Sequence, residues 1–167
     1  MRLLFLLLSF CVSTIATTLF AQDSKKGAIQ ANVYVGVPVG AIASESSFNG
    51  GVSVGYLGSV ESFLRVGGSL GYDFSILNSD SKIPKEKGFH YLMIGGTAEL
   101  DVYDKFYIGA DLGYAFAQTK KGMGSHYFTP KIGYKYNDNI NFYAHYKGVR
   151  FSGYQVASLG VGLAYNF

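Results

Sequence analysis

The chain has 167 residues, with 14 Tyr, 13 Phe, 22 Gly, one Cys, no Trp and a formal charge of +3. That length suits one domain, and the charge is not the strongly basic balance of a nucleic-acid binder. Only 15% of residues are charged, against ~25% in soluble globular proteins. Past residue 21 no apolar run approaches the ~18 residues a spanning helix needs, so the apolar residues must be hidden in an alternating pattern.

Residues 1–21 read as a cleaved signal peptide: Arg2 gives a positive start, residues 3–10 an apolar core, and Leu19-Phe20-Ala21 a small residue before the cut. The alternative, a short membrane anchor, lacks a stop-transfer pattern. Cys11 leaves with this segment, and bulky Phe10 before it argues against lipoprotein acylation. Residues 22–27 are expected to form a short periplasmic segment, and residues 28–167 the folded domain. With no Cys after residue 21, no disulfide is expected.

From residue 28 apolar and polar or small residues alternate with period two, the pattern of strands with two different faces. Residues 28–40 set Ile29, Ala31, Val33, Val35, Val37 and Val39 against Gln30, Asn32, Tyr34, Gly36 and Pro38. Residues 50–57 continue with Val52, Val54 and Tyr56. Residues 62–76 set Leu64, Val66, Leu70, Tyr72, Phe74 and Ile76 against Arg65, Ser69 and Asp73. Residues 88–102 set Leu92, Ile94, Ala98, Leu100 and Val102 against Tyr91, Thr97, Glu99 and Asp101.

Residues 105–117 set Phe106, Ile108, Ala110, Leu112, Tyr114 and Phe116 against Tyr107, Asp111 and Ala115. Residues 125–136 set Phe128, Ile132, Tyr134 and Tyr136 against Tyr127, Thr129, Lys131 and Lys135. Residues 140–147 set Ile140, Phe142, Ala144 and Tyr146 against Asn141, Tyr143, His145 and Lys147. Residues 154–167 set Ala157, Leu159, Val161, Leu163, Tyr165 and Phe167 against Ser158, Gly160, Gly162 and Asn166. The expectation is an all-β, eight-stranded antiparallel up-and-down transmembrane β-barrel.

Alternation alone does not say which face is outside, since a lipocalin-like barrel alternates with its apolar face inward. Three features favour the membrane. Most segments exceed the ~5–6 residues of ordinary strands and reach the ~9–11 that span a bilayer. Tight connections at 57–61, 103–104 and 137–139 alternate with longer ones at 40–49, 77–87 and 118–124, as short periplasmic turns and long external loops do. The last strand ends in an aromatic, Phe167. Outward aromatics also fall at two heights, as interface belts require: Tyr56, Phe106, Tyr134, Tyr136, Phe142, Tyr165 and Phe167 near the short turns, and Tyr72, Phe74, Tyr114, Phe116, Phe128 and Tyr146 near the long loops.

The final SLGVGLAYNF, with Val161, Leu163, Tyr165 and terminal Phe167 at alternate positions, resembles the C-terminal signal recognised by the outer-membrane assembly machinery. With the signal peptide and eight strands, residues 22–167 resemble the small OmpA/OmpX-like outer-membrane β-barrel or porin family of Gram-negative bacteria. The Ala21-Gln22 junction is similar to cut sites of exported Bacteroidetes proteins. The resemblance implies a barrel that contacts the assembly machinery through its last strand, and it is silent on activity. No second, peptidoglycan-binding domain is expected after the barrel.

An eight-stranded barrel is just wide enough for side chains to fill. Its inward face carries Arg65, Asp73, Glu99, Asp101, Asp111, Lys131, Lys135, His145 and Lys147, charges too costly for lipid. Arg65 and Glu99 fall at similar heights, as do Asp111, Lys131 and His145, so a luminal network of these five is expected. A polar plug is its structural reading, and a narrow channel or small-solute site the alternative. The inward glycines Gly36, Gly67, Gly71, Gly109, Gly113 and Gly133 leave room for water or permit tight bending.

Enzymatic readings find little support. Small lipid A deacylase barrels carry a His-x-Ser pair, but here the stretch is His145-Tyr146-Lys147, with Lys at the nucleophile position. His90, His126 and His145 are too scattered for a metal site, and no glycine run forms a phosphate loop. No catalytic residue, cofactor or metal is expected. Loop residues Lys82, Lys85, Lys87, Lys120, Lys121 and Arg150 outweigh Glu45, Asp80 and Glu86, placing positive charge where lipopolysaccharide phosphates lie. The expected partners are outer-membrane lipid, lipopolysaccharide and the barrel-assembly machinery, with no nucleic acid, for a monomer with a structural or surface-interaction role. Arg is expected to be costly at position 161 and cheaper at position 158.

Overall fold

A computed structural model describes residues 27–40, 43–78, 90–117, 124–151 and 154–167. The proposed signal peptide and most of the 22–27 segment lie outside these residues, as do Lys82, Lys85, Lys87, Lys120 and Lys121. Eight strands follow one another: β1 (Ala28–Val39), β2 (Ser46–Glu61), β3 (Leu64–Leu77), β4 (His90–Tyr103), β5 (Phe106–Ala117), β6 (Gly124–Lys135), β7 (Ile140–Phe151) and β8 (Tyr154–Asn166). Each pairs antiparallel with its sequence neighbours, and β8 pairs with β1, so the sheet is a closed barrel.

The register fixes the barrel's shape. From Tyr134 the pairing passes through Phe142, Leu163, Val33, Val52, Tyr72, Leu92 and Phe116, and returns to β6 at Gly124, ten residues from where it began. With eight strands and a shear of ten, a rise of ~3.3 Å and a strand spacing of ~4.8 Å give a tilt of about 41°. Such a barrel has no open edge, and its interior is only wide enough for side chains.

The alternation places side chains as the phase requires. Val33, Val52, Val54, Ile94, Leu112, Ile132 and Val161 point outward, between 49% and 60% exposed. Tyr34, Tyr91, Met93, Tyr107, Tyr127 and Tyr143 turn inward and are buried. The core therefore sits in the lumen. The outward aromatics form paired contacts near the short-turn end, Phe106 with Tyr134 at 5.1 Å and Tyr165 with Phe167 at 4.8 Å, and near the other end, Tyr114 with Phe116 at 4.9 Å.

Two elements differ from the sequence reading. β2 runs from Ser46 to Glu61, so residues 57–61 are strand and the turn is Ser62-Phe63. A bulge at Val60 flips the phase there, and inward Leu57, 2% exposed, interrupts the apolar-out pattern. β7 continues past Lys147 to Phe151, and the apolar-outward pattern stops short of its end because Val149 is apolar yet turned inward and buried. The other tight turns are built from local chemistry. Asp104 adopts φ 43° in the two-residue β4–β5 turn, a conformation Asp tolerates. The Asn137 side chain accepts hydrogen bonds from the backbone N–H groups of Asn139 and Ile140 at 3.0 and 2.7 Å, closing the β6–β7 turn.

Candidate functional site: the luminal charge network

The inward face brings cations and carboxylates from separate strands into contact. Arg65 on β3 and Glu99 on β4 are direct cross-strand partners, and their side chains meet at 2.7 Å. Glu99 also receives Lys131 of β6 at 3.1 Å, and the same ammonium reaches Asp111 of β5 at 3.0 Å. Thr97 completes this cluster by accepting from Lys131 at 3.3 Å and donating to Asp111. Glu99 is 1% exposed, so its charge is held by two cations rather than by bulk water.

A second cluster lies closer to the long-loop end. Asp73 accepts from the Tyr34 hydroxyl and from Lys147 at 2.6 Å, and the Lys147 ammonium lies 3.8 Å from the Tyr34 ring centroid. Near the short-turn end Lys135 pairs with Asp101. Among the described inward residues, Arg65, Lys131, Lys135 and Lys147 are thus matched by Asp73, Glu99, Asp101 and Asp111. Opposite charges in mutual contact lower the cost of a charged interior, which single buried ions would not.

His145 departs from the expected grouping. It sits directly across the ladder from Lys131, but neither ring nitrogen has a hydrogen-bond partner. Its neighbours are rings, Tyr34 at 5.4 Å and Tyr143 at 5.7 Å. Four of the five expected residues, Arg65, Glu99, Asp111 and Lys131, are joined, and His145 stands beside them. Asp73 and Lys147 were recognisable as inward charges, but their partnership depends on a register across several strands.

The glycines have a use the sequence did not disclose. Four luminal tyrosines face a glycine directly across the ladder: Tyr34 faces Gly51, Tyr107 Gly133, Tyr127 Gly113 and Tyr143 Gly162. A Cβ on Gly133 would meet the Tyr107 ring at 2.1 Å, and one on Gly162 would meet Tyr143 at 2.3 Å. The rings lie flat in these gaps and fill the lumen. The space that remains in the lumen is a cavity of about 40 Å3, lined by Tyr34, Thr129, Lys131, His145 and Lys147 among others.

At the end of β8, Val161, Leu163, Tyr165 and Phe167 share the outward face, with Val161 60% and Phe167 74% exposed. The Phe167 backbone N–H donates to the Ile29 carbonyl at 2.9 Å, carrying the closing seam to the last residue. Inside, the Gln30 amide donates to Asn166 at 3.1 Å. Lys147, where a nucleophile would stand in a His-x-Ser pair, is held by Asp73. No group of three potential metal ligands occurs among the described residues.

No family model matches the chain, and no curated protein matches it. Solved structures do. A de novo designed transmembrane β-barrel superposes with a TM-score of 0.57 at 15% identity, covering 87% of this chain and 100% of the other. Ail, the attachment invasion locus protein of Yersinia pestis, gives 0.56 at 13% identity, over 86% of this chain and 100% of that one. The N-terminal β-barrel domain of Pseudomonas aeruginosa OprF gives 0.57 at 13% identity, over 85% and 100%. The fold is that of the eight-stranded outer-membrane barrels.

Proposed function

We propose that this chain is an exported outer-membrane β-barrel protein, OmpA/OmpX-like in architecture, with a structural or surface-interaction role in a Gram-negative envelope. The observation that carries this reading is the inversion of polarity. Ion pairs fill the inside, while a continuous band that includes Val33, Val54, Ile94, Leu112, Ile132 and Val161 faces out. A band of that size in water would be an association surface, whereas a bilayer is its natural solvent. The likeness to Ail and OprF supports the location at the level of fold.

The matched luminal charges and the small residual cavity support a sealed interior. Activity then belongs to the external loops, where the excess of Lys suits lipopolysaccharide phosphates. The outward face of Val161, Leu163, Tyr165 and Phe167 is offered to the assembly machinery. The protein acts as a monomer, without cofactor or catalytic residue. Planar-bilayer recording of the folded protein tests the seal. No unitary conductance is expected, and discrete ion-conducting steps would replace the plug with a narrow channel.

A further inference from the structure

One seam of the barrel is interrupted. In the β6–β7 ladder, pairing runs through Tyr127 with Val149 and Phe128 with Gly148, then resumes only at Lys131 with His145. The register is unchanged across the gap, so Pro130 stands where it would pair with Tyr146. Among the described residues no other ladder has such a gap between bulge-free pairs. The cause is chemical: the backbone N–H groups of Lys135 and Tyr136 point to β5 and β7 respectively, so by alternation Pro130 faces β7. Proline has no N–H to give. The Tyr146 carbonyl therefore lacks its cross-strand donor midway along the strand.

Two further polar groups at this spot have no partner. The Thr129 hydroxyl, beside Pro130, and both ring nitrogens of His145, beside Tyr146, make no hydrogen bond. Both residues are 5% exposed, and both line the cavity of about 40 Å3. Buried polar groups are rarely left unsatisfied. A water takes about 30 Å3 and needs two to four polar partners.

We propose that this cavity is an internal water site, held by Thr129 and His145 where, with Lys131 and Lys147, they flank the Pro130–Tyr146 position of the β6–β7 seam from the lumen. The bound water donates to the Tyr146 carbonyl and to the unprotonated nitrogen of His145, and accepts from the Thr129 hydroxyl. It replaces the ladder hydrogen bond that proline removes, and it lies between the two ionic clusters at Lys131 and Lys147. This holds whether or not the barrel conducts, since it concerns one site and not a path.

Water-to-protein magnetisation transfer, measured by NMR on the folded protein in lipid nanodiscs, tests the site. Transfer to the His145 imidazole is expected, and its absence, with transfer to exposed His90 as the positive control, would overturn the proposal. Thr129→Val keeps the shape but removes one water partner. If the site is hydrated, the variant loses most of the His145 transfer and unfolds at lower urea. A dry site gives the opposite result, an unchanged or raised midpoint, because an orphaned hydroxyl has been removed. Should Thr129→Val fail to fold, the wild-type transfer alone decides.

Discussion

Glu99 lies directly across the ladder from Arg65 and holds a second cation, Lys131, whose strand is two removed from its own. A single carboxylate therefore ties β3, β4 and β6 together at 1% exposure. Glu99→Gln leaves Arg65 without its carboxylate and Lys131 with Asp111 alone. Removing one partner of a buried ion pair costs about 3–5 kcal/mol. Urea unfolding in lipid vesicles should show a loss of that order, and a loss below about 1 kcal/mol, the surface-pair range, would mean the pair is solvated.

The Asp73–Lys147 pair tests coupling rather than loss. Each single change, Asp73→Asn or Lys147→Met, strands the other charge inside the barrel, and the Tyr34 hydroxyl shares the carboxylate. The double variant removes both charges, so its cost should fall short of the sum of the singles by about 1–3 kcal/mol. Additive losses would show that the two groups act independently.

Gly133 and Tyr107 give the sharpest steric prediction. The ring lies where a Cβ at position 133 would stand, 2.1 Å from the nearest ring atom. Gly133→Ala should prevent assembly of the heat-modifiable folded band on cold gels. Adding Tyr107→Ala should restore assembly at reduced stability, because removing the ring reopens the space. Folding of Gly133→Ala alone at wild-type yield would contradict the placement of this ring.

These contacts mark the limit of what the sequence discloses. A period of two identifies both faces of every strand, because burial of one face is a property of each strand alone. Tyr34, Tyr107, Tyr127 and Tyr143 read only as inward aromatics, because meeting a glycine requires the register between strands. Arg65 and Glu99 could be matched by counting from nearby turns, whereas Asp73 and Lys147 come from β3 and β7 and meet only across the closed lumen. The ends of β2 and β7 were hidden by inward Leu57 and Val149, whose apolar side chains pack in the lumen against the pattern. Height alone places His145 beside Lys131, which it faces across the ladder, but height carries no information on bonding, and neither ring nitrogen has a hydrogen-bond partner.

The outward band carries a depth-dependent prediction. Val161 is 60% exposed and lies midway along β8, whereas Tyr103, 78% exposed, sits beside a short turn. An Arg at the bilayer midplane costs about 2–4 kcal/mol and one near the interface about 0–1. Val161→Arg should therefore lower the unfolding free energy in vesicles by the larger amount, and Tyr103→Arg by the smaller. Position 158 is not the mild control its phase implied. Ser158 faces the lumen but is 2% exposed and accepts from the Asn49 amide at 3.0 Å, so an Arg there would have to displace packed neighbours. Equal losses at 161 and 103 would remove the case for lipid around the barrel, because only a bilayer makes the same side chain cost more with depth.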